Sequence, residues 1–237
     1  MPDASPDLRT GPGSARSSRV VVALDGPSGS GKSSTARGVA TRLGLRYLDT
    51  GAQFRALTWA MLEAGVDVAD AAAVGAQAAR PVLVSGTDPS APTIHVDGVD
   101  VGQAIRGPEV TGAVSAVSAV PEIRARLLAE QRDIIGDGGI VVEGRDIGSV
   151  VAPDADVKVY LTADAGARAA RRAAEEGGTD VTATRESRLS RDRIDSGRAT
   201  APWTRADGAV HIDTTDYSLD EVIAQVVTLV EAVETSA

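Results

Sequence analysis

No cysteine occurs in the 237 residues, which excludes disulfide bridges and thiol catalysis. Histidine is nearly absent too. His95 and His211 are too few to build a histidine metal centre, and each reads as structural. No apolar run approaches the roughly 20 residues needed to cross a bilayer. The N-terminus lacks the apolar core of a signal peptide. The expected compartment is therefore the cytoplasm, with no membrane partner. Positive charge is also short, with 24 Lys and Arg against 33 Asp and Glu and a net charge of −9. A broad nucleic-acid-binding face is not expected from such a chain, although a local basic site remains compatible with it. What remains is ordinary for a globular protein, with 43% hydrophobic and 24% charged residues. The length suits one α/β domain with an insertion, or two small domains. No internal repeat is found.

The chain is organised around residues 20–34, V-V-V-A-L-D-G-P-S-G-S-G-K-S-S. Residues 20–24 form an apolar, β-branched run of the kind that makes a buried strand. Gly26, Pro27, Ser28, Gly29, Ser30, Gly31, Lys32 and Ser33 then match G-x-x-x-x-G-K-[ST], the phosphate-binding P-loop, and Ser34 continues the stretch. Glycines let the backbone curl so that several N–H groups converge on phosphate oxygens. Lys32 supplies a mobile charge for the β- and γ-phosphates, and Ser33 a hydroxyl where Mg²⁺ would sit. A helix opening near Ser33 adds its positive dipole end.

Around that centre the chain alternates. Residues 1–18 are rich in Pro, Ser, Gly, Asp and Arg and read as a disordered tail. Ala36, Val39, Ala40 and Leu43 have helical spacing, Gly44 ends that helix, and residues 45–48 suit a strand. Asp49 and Thr50 open a helix through about Glu63. Taken alone they also fit simple N-capping, and Arg55 alone fits a solvated surface arginine. Residues 67–79 are alanine-rich and predict a further helix. Residues 81–105 change character, with short β-like runs separated by Asp88-Pro89-Ser90 and Asp97-Gly98, the pattern of a small antiparallel sheet. Residues 109–120 and 121–135 predict two helices, the second starting on Pro121.

Residues 139–142 form another buried-strand run and end in Glu143-Gly144-Arg145-Asp146-Ile147-Gly148. Carboxylates and an arginine at the carboxyl end of a parallel strand lie where open α/β sheets bind ligands. Residues 157–161 read as a strand and 165–176 as a helix. Seven arginines and no lysine fall between positions 168 and 193. A charge run is usually a solvated face, but arginine's planar fork suits bidentate phosphate recognition. Residues 209–213 form a last strand. Ser218-Leu219-Asp220-Glu221 is a capping box for an amphipathic helix through about Val233. Strands alternating with helices predict an α/β fold with a parallel, doubly wound sheet.

These motifs resemble those of bacterial cytidylate kinase, a nucleoside monophosphate kinase family. The resemblance rests on L-D-G-P-S-G-S-G-K at 24–32, Y-L-D-T-G-A at 47–52, G-R-D-I-G-S-V-V at 144–151 and S-R-D-R-I-D-S-G-R-A-T-A-P at 190–202. They run in the family's order over roughly residues 19–233. The P-loop is shared by many families, whereas the other elements are far more specific. One departure is Phe54, where the family often has tyrosine; the stacking face stays and a hydroxyl is lost.

The resemblance implies a single P-loop kinase domain over residues 19–237. Within it, 81–105 would be an inserted monophosphate-binding segment and 165–197 a short helical lid. The implied reaction is transfer of the γ-phosphoryl group of ATP to CMP or dCMP, with Mg²⁺, by a monomer. ATP would be held by residues 26–34 with Arg168 and Arg172. Ser28, Thr50, Arg55, Ser115, Arg124, Arg145, Asp146, Arg191, Asp195 and Arg198 would contact the monophosphate. Of these, Arg55, Arg145 and Arg191 suit its phosphate, Ser115, Arg124 and Asp146 the cytosine edge, and Asp195 and Arg198 the ribose side. Lys32, Arg145 and Arg191 would carry catalysis. The rivals are a P-loop kinase acting on UMP, AMP or shikimate, and a nucleotide-binding switch that hydrolyses ATP slowly. The latter predicts few arginines beyond the P-loop.

Overall fold

The computed structural model describes residues 19–168 and 205–236. Five parallel strands run in the order β2-β6-β1-β7-β8: β1 Val21–Asp25, β2 Arg46–Asp49, β6 Ile140–Gly144, β7 Val157–Thr162 and β8 Val210–Asp213. The alternation of side chains along a strand explains why β1 has no polar face. Val22 and Leu24 pack with Ala36 and Val39 of α1 (Lys32–Leu43) and Val226 and Val230 of α6 (Leu219–Ser236). Ala23 points the other way, into a cluster with Leu48, Val142 and Ile147. Gly38 lets α1 and α6 approach, since a Cβ there would lie 2.2 Å from Ile223 Cδ1.

A second, antiparallel sheet of β3 Leu83–Ser85, β4 Ile94–Val96 and β5 Val99–Asp100 packs through Ile94 and Val96 against Ala56 of α2 (Thr50–Glu63). The Asp97-Gly98 turn has φ of 50° and 82°, the paired positive angles that a two-residue hairpin of the I′ kind requires. This sheet is tied to the main one where Tyr47 N–H donates to Thr87 C=O at 2.9 Å. Its root is held by Arg126, whose guanidinium donates to the Ala78 and Pro81 carbonyls. Beneath lie α3 Ala71–Gln77, α4 Pro108–Val117 and α5 Pro121–Ile135, with Leu57, Met61, Val117, Ile123 and Leu127 forming their shared core.

Several boundaries differ from expectation. The helix expected over 67–79 is confined to Ala71–Gln77, because the Asp70 carboxylate accepts from Ala72 and Ala73 N–H and sets the start there. The helix expected to reach residue 120 stops at Val117, and a turn bond from Val120 N–H to Val117 C=O leads into α5. A one-turn π-helix at Ile147–Val151 was not expected. The expected capping box is formed: Ser218 N–H donates to Glu221 Oε2 at 2.8 Å, and Glu221 N–H to Ser218 Oγ at 3.4 Å. The tail over 1–18 and most of the expected helix over 165–176 lie outside the described residues.

One arginine joins the main sheet to α5. Arg46 donates to the carbonyls of Ile134 (2.7 Å), Ile135 (2.9 Å) and Gly138 (2.8 Å). They lie at and just after a helix C-terminus, where carbonyls run short of intrahelical partners and a cation is favoured by the dipole; Ile135 C=O also accepts from Gly138 N–H at 3.0 Å. Arg46→Ala removes three hydrogen bonds at once and should lower unfolding free energy by about 2–3 kcal/mol. Urea unfolding followed by far-UV circular dichroism measures this, and a midpoint equal to that of the parent would refute the assignment.

Candidate active site

The loop between β1 and α1 curls because its glycines take left-handed angles, with φ of 79° at Gly29 and 88° at Gly31. It lies on the sheet's end so closely that a Cβ on Gly26 would sit 2.1 Å from Leu161 C=O. Thr214 Oγ donates to Ser30 C=O at 3.1 Å and ties the loop to the end of β8. Lys32 folds back, its Nζ donating to Pro27 C=O at 3.0 Å. Burial pushes the Lys32 pKa down, while Glu143 opposes that shift, Arg145 adds to it and Asp25 opposes it.

A cleft of about 420 Å³ opens above the loop. Its lining brings together Ser28, Lys32, Ser33, Arg55, Arg106 and Arg145. Gly29, Gly31 and Ser34 join the same wall. Arg168 Nη1 donates to Ser28 C=O at 3.1 Å, so this arginine reaches the loop. Arg37 and Arg106 were missed in the sequence. Both also border an adjoining cavity of about 290 Å³ beneath the small sheet. No spacing rule marks them, because a three-dimensional turn, not a motif, brings them to the cleft.

Two buried carboxylates stand at this end of the sheet, Glu143 on the cleft's lining and Asp25 off it. Asp25 ends β1 and Glu143 lies near the end of β6. The strands are in register, with Leu24 opposite Glu143 and Asp25 opposite Gly144. Tyr47 OH donates to Glu143 Oε1 at 2.7 Å, and the Ser33 hydroxyl bonds to the same carboxylate. Burial pushes Glu143 up to about 7, Asp49 adds to this, and Lys32 opposes it. Burial likewise pushes Asp25 up to about 6, against two backbone hydrogen bonds that favour its charge. In the sequence Glu143 stands only as one of the carboxylates ending the 139–142 strand run, with no role of its own. Asp25 and Tyr47 were missed, although an acid closing each of two adjacent buried strands was a usable signal.

On the far wall, Arg55 Nη1 donates to Ile105 C=O (3.1 Å) and Thr111 Oγ (3.0 Å). Thr50 is buried, and its hydroxyl donates to Glu143 C=O at 2.8 Å. Arg124 forms an ion pair with Asp146, and its guanidinium carbon lies 5.6 Å from the Phe54 ring centre. Arg124 also donates to Ser118 C=O at 3.4 Å, while Ser118 Oγ donates to Ser115 C=O, which links Ser115 to this group through its backbone; Phe54, Ser115, Arg124 and Asp146 lie off the cleft's lining. Arg172, Arg191, Asp195 and Arg198 lie outside the described residues.

The sequence model of the family described as cytidylate kinase matches residues 22–232. The chain belongs to the cytidylate kinase family. A cytidylate kinase of Streptomyces griseus is 60% identical over 225 residues, 94% of this chain and 97% of that one. One of Nocardia farcinica is 55% identical over 209 residues, 86% and 90% of the two chains. A solved, uncharacterised protein from Eubacterium ventriosum is similar in fold, with a TM-score of 0.51 at 11% identity over 90% of this chain and 99% of that one.

Among the described residues no cluster of three His, Cys, Asp or Glu side chains could hold a metal ion by itself. The Ser33 hydroxyl beside the Glu143 carboxylate nonetheless offers hard oxygen donors. Such a set fits Mg²⁺, which keeps several waters and takes one or two protein oxygens with substrate phosphates. No helix among the described residues is long and apolar enough to cross a membrane.

The two raised acids fix the sign of a pH effect. The folded protein retains protons on Glu143 and Asp25 that the unfolded chain, with values of 4.5 and 3.8, has already released. Their contribution to stability is therefore greatest below about pH 4 and is lost as pH rises through 6–7. Without ligands, the melting temperature should fall between pH 5 and pH 8, and Glu143→Gln should flatten that fall. An unchanged slope in Glu143→Gln, read by differential scanning fluorimetry, would show that Glu143 is already ionised at pH 5.

Proposed function

We propose that this chain transfers the γ-phosphoryl group of ATP to CMP or dCMP, giving ADP and CDP or dCDP. The observation that carries this reading is the single cleft joining the phosphate loop to Arg55 and Arg145; Asp146, next in the chain after Arg145, pairs with Arg124 beside Phe54. An oxygen of the CMP phosphate attacks the γ-phosphorus, and the bond from that phosphorus to the bridging oxygen of ADP breaks. Such transfer asks the protein mainly for positioning and charge cancellation.

In this reading the loop amides, Lys32 and Ser33 hold the donor phosphates. Mg²⁺, held by Ser33 with Glu143 behind it, would neutralise charge on the donor phosphates. Arg55 and Arg145 grip the acceptor phosphate. Asp146, an acceptor when ionised, takes the exocyclic amine of cytosine, and Arg124 and Ser115 complete that edge. Phe54 supplies a face for the base. Residues 81–105 serve as the acceptor-binding segment and 165–197 as a lid, with Arg168, Arg172 and Arg191 closing on the phosphates and Asp195 and Arg198 on the ribose. The protein works as a monomer within the cytoplasm. A site whose polar groups match cytosine leaves them unpaired when another base enters, which is the source of discrimination.

The test is ADP release from ATP, followed by a coupled assay with CMP, dCMP, UMP, AMP or shikimate. CMP or dCMP should stimulate turnover most. Lys32→Ala should lower it by about 10²-fold or more in a folded protein. Arg145→Ala should weaken every monophosphate alike. Asp146→Asn should cut the CMP/UMP ratio of kcat/KM by about tenfold, one polar base contact being worth roughly 1–3 kcal/mol. Steady ATP hydrolysis indifferent to any acceptor would replace this reading with that of a switch.

A further inference from the structure

Asp25 contacts neither cleft wall, yet both its oxygens are engaged. Oδ1 accepts from Ile147 N–H and Oδ2 from Gly148 N–H, each at 2.8 Å. Those two N–H groups open the one-turn helix Ile147–Val151, and the first N–H groups of any helical turn have no partner within it. No side chain of the turn itself caps them. The cap comes from another strand, 122 residues away in sequence. The hold is reinforced by packing, because Ile147 is fully buried among Leu48, Val142 and Ala23.

Arg145 and Asp146 are therefore pinned at both ends. On one side Gly144 is fixed in register opposite Asp25. On the other, Ile147 and Gly148 are fixed to the Asp25 carboxylate. We infer that Asp25 is a positioning residue that holds Arg145 and Asp146 in their acceptor-reading geometry and locks that pair to the base of the phosphate loop. The inference rests on the roles proposed above for Arg145 and Asp146. It explains why an acid is buried at this place. An asparagine would fill the same space but offers one acceptor oxygen for two N–H groups, and its own amide hydrogens would face one of them.

The charge of Asp25 gives the test a second axis. Asp25 lies near enough to Lys32 to oppose the fall in the lysine's pKa. Asp25→Asn removes a negative charge from beneath the polyphosphate and also one group that holds the Lys32 pKa up; the two changes act oppositely on donor binding, so the loss should fall on the acceptor.

The experiment compares the full-length protein with Asp25→Asn. In the variant the KM for CMP should rise by about tenfold, since small misplacement of positioning groups costs that much or more. The CMP/UMP ratio of kcat/KM should fall as well. The affinity for a non-hydrolysable ATP analogue, measured by calorimetry, should not weaken. Amide exchange at Ile147 and Gly148 should quicken while that of Val22 and Val159 stays as in the parent. Unchanged CMP kinetics, or an equal loss of donor and acceptor affinity, would overturn the inference. If Asp25→Asn does not fold, Gly148→Ala replaces it, since its Cβ would stand 3.1 Å from Ala206 Cβ and 3.4 Å from Asp25 Oδ2, and relief of the tighter contact shifts the turn relative to the carboxylate. The same split is expected and the same outcomes refute it. Failure of the parent itself to phosphorylate CMP would refute the proposed reaction instead, while the exchange measurement would still report on Asp25.

Discussion

The parallel pairing of β1 with β6 is the contact on which the site depends. It sets Asp25 level with Gly144, and so brings the start of the phosphate loop beside the start of the segment that carries Arg145 and Asp146. Parallel strands cannot be joined by a short hairpin, so their carboxyl ends all open on one edge, where ligand-binding loops collect. In this chain the edge gathers loops separated by more than a hundred residues. The glycine angles, the Lys32 fold-back and the carboxylate cap on Ile147 and Gly148 are all consequences of one register. A slip of that pairing by one residue would also turn Ala23 to the crowded face and Val22 and Leu24 away from α1 and α6.

Burying two acids beneath a phosphate site needs a compensating reason, since each is disfavoured as a charge by its surroundings. For Asp25 the compensation is two backbone N–H donors. For Glu143 it is Tyr47 OH, the Ser33 hydroxyl and the ammonium of Lys32. Tyr47 is itself made harder to ionise, by burial first and by Glu143 second, so it stays a donor at any working pH. The acids in turn oppose the fall that burial imposes on the Lys32 pKa. The cluster is mutually dependent, and its polar members rigidify the loop only because nearly all are satisfied. Ser30 Oγ, buried without a partner among the described residues, is the exception.

Much of this was legible in one dimension because it is local. The P-loop, the Asp97-Gly98 hairpin, Pro121 at the start of α5 and the Ser218 capping box each depend on residues within four positions of one another. The helix over 121–135 was bounded to the residue for that reason. What the sequence concealed is what depends on distant partners. Arg46 reads as an ordinary strand residue until α5 ends beside it. Asp25 reads as the last residue of a strand until the turn at 147 arrives. Arg37 and Arg106 carry no motif, and they enter the cleft through the course of α1 and of the turn after β5. Ser115 and Arg124 take their expected roles from the resemblance, and only the fold shows that Arg124 of α5 meets Asp146 after β6 and the end of α4.

The distribution of charge follows from the same logic. The chain carries a net charge of −9, which disfavours approach of a polyanion to most of its surface. The cleft inverts that sign locally, with Lys32, Arg37, Arg55, Arg106 and Arg145 on its lining. A basic cleft with low-dielectric walls in an acidic body focuses the field on one entrance. Anions are then guided to the cleft and kept from the remaining surface, where they could bind without reacting. The cations inside also repel one another when no phosphate is present. Glu143, on the same lining, and the buried Asp25 oppose part of that repulsion at Lys32. An ionised carboxylate beside Lys32 therefore does at rest part of what the substrate's charge does in turnover.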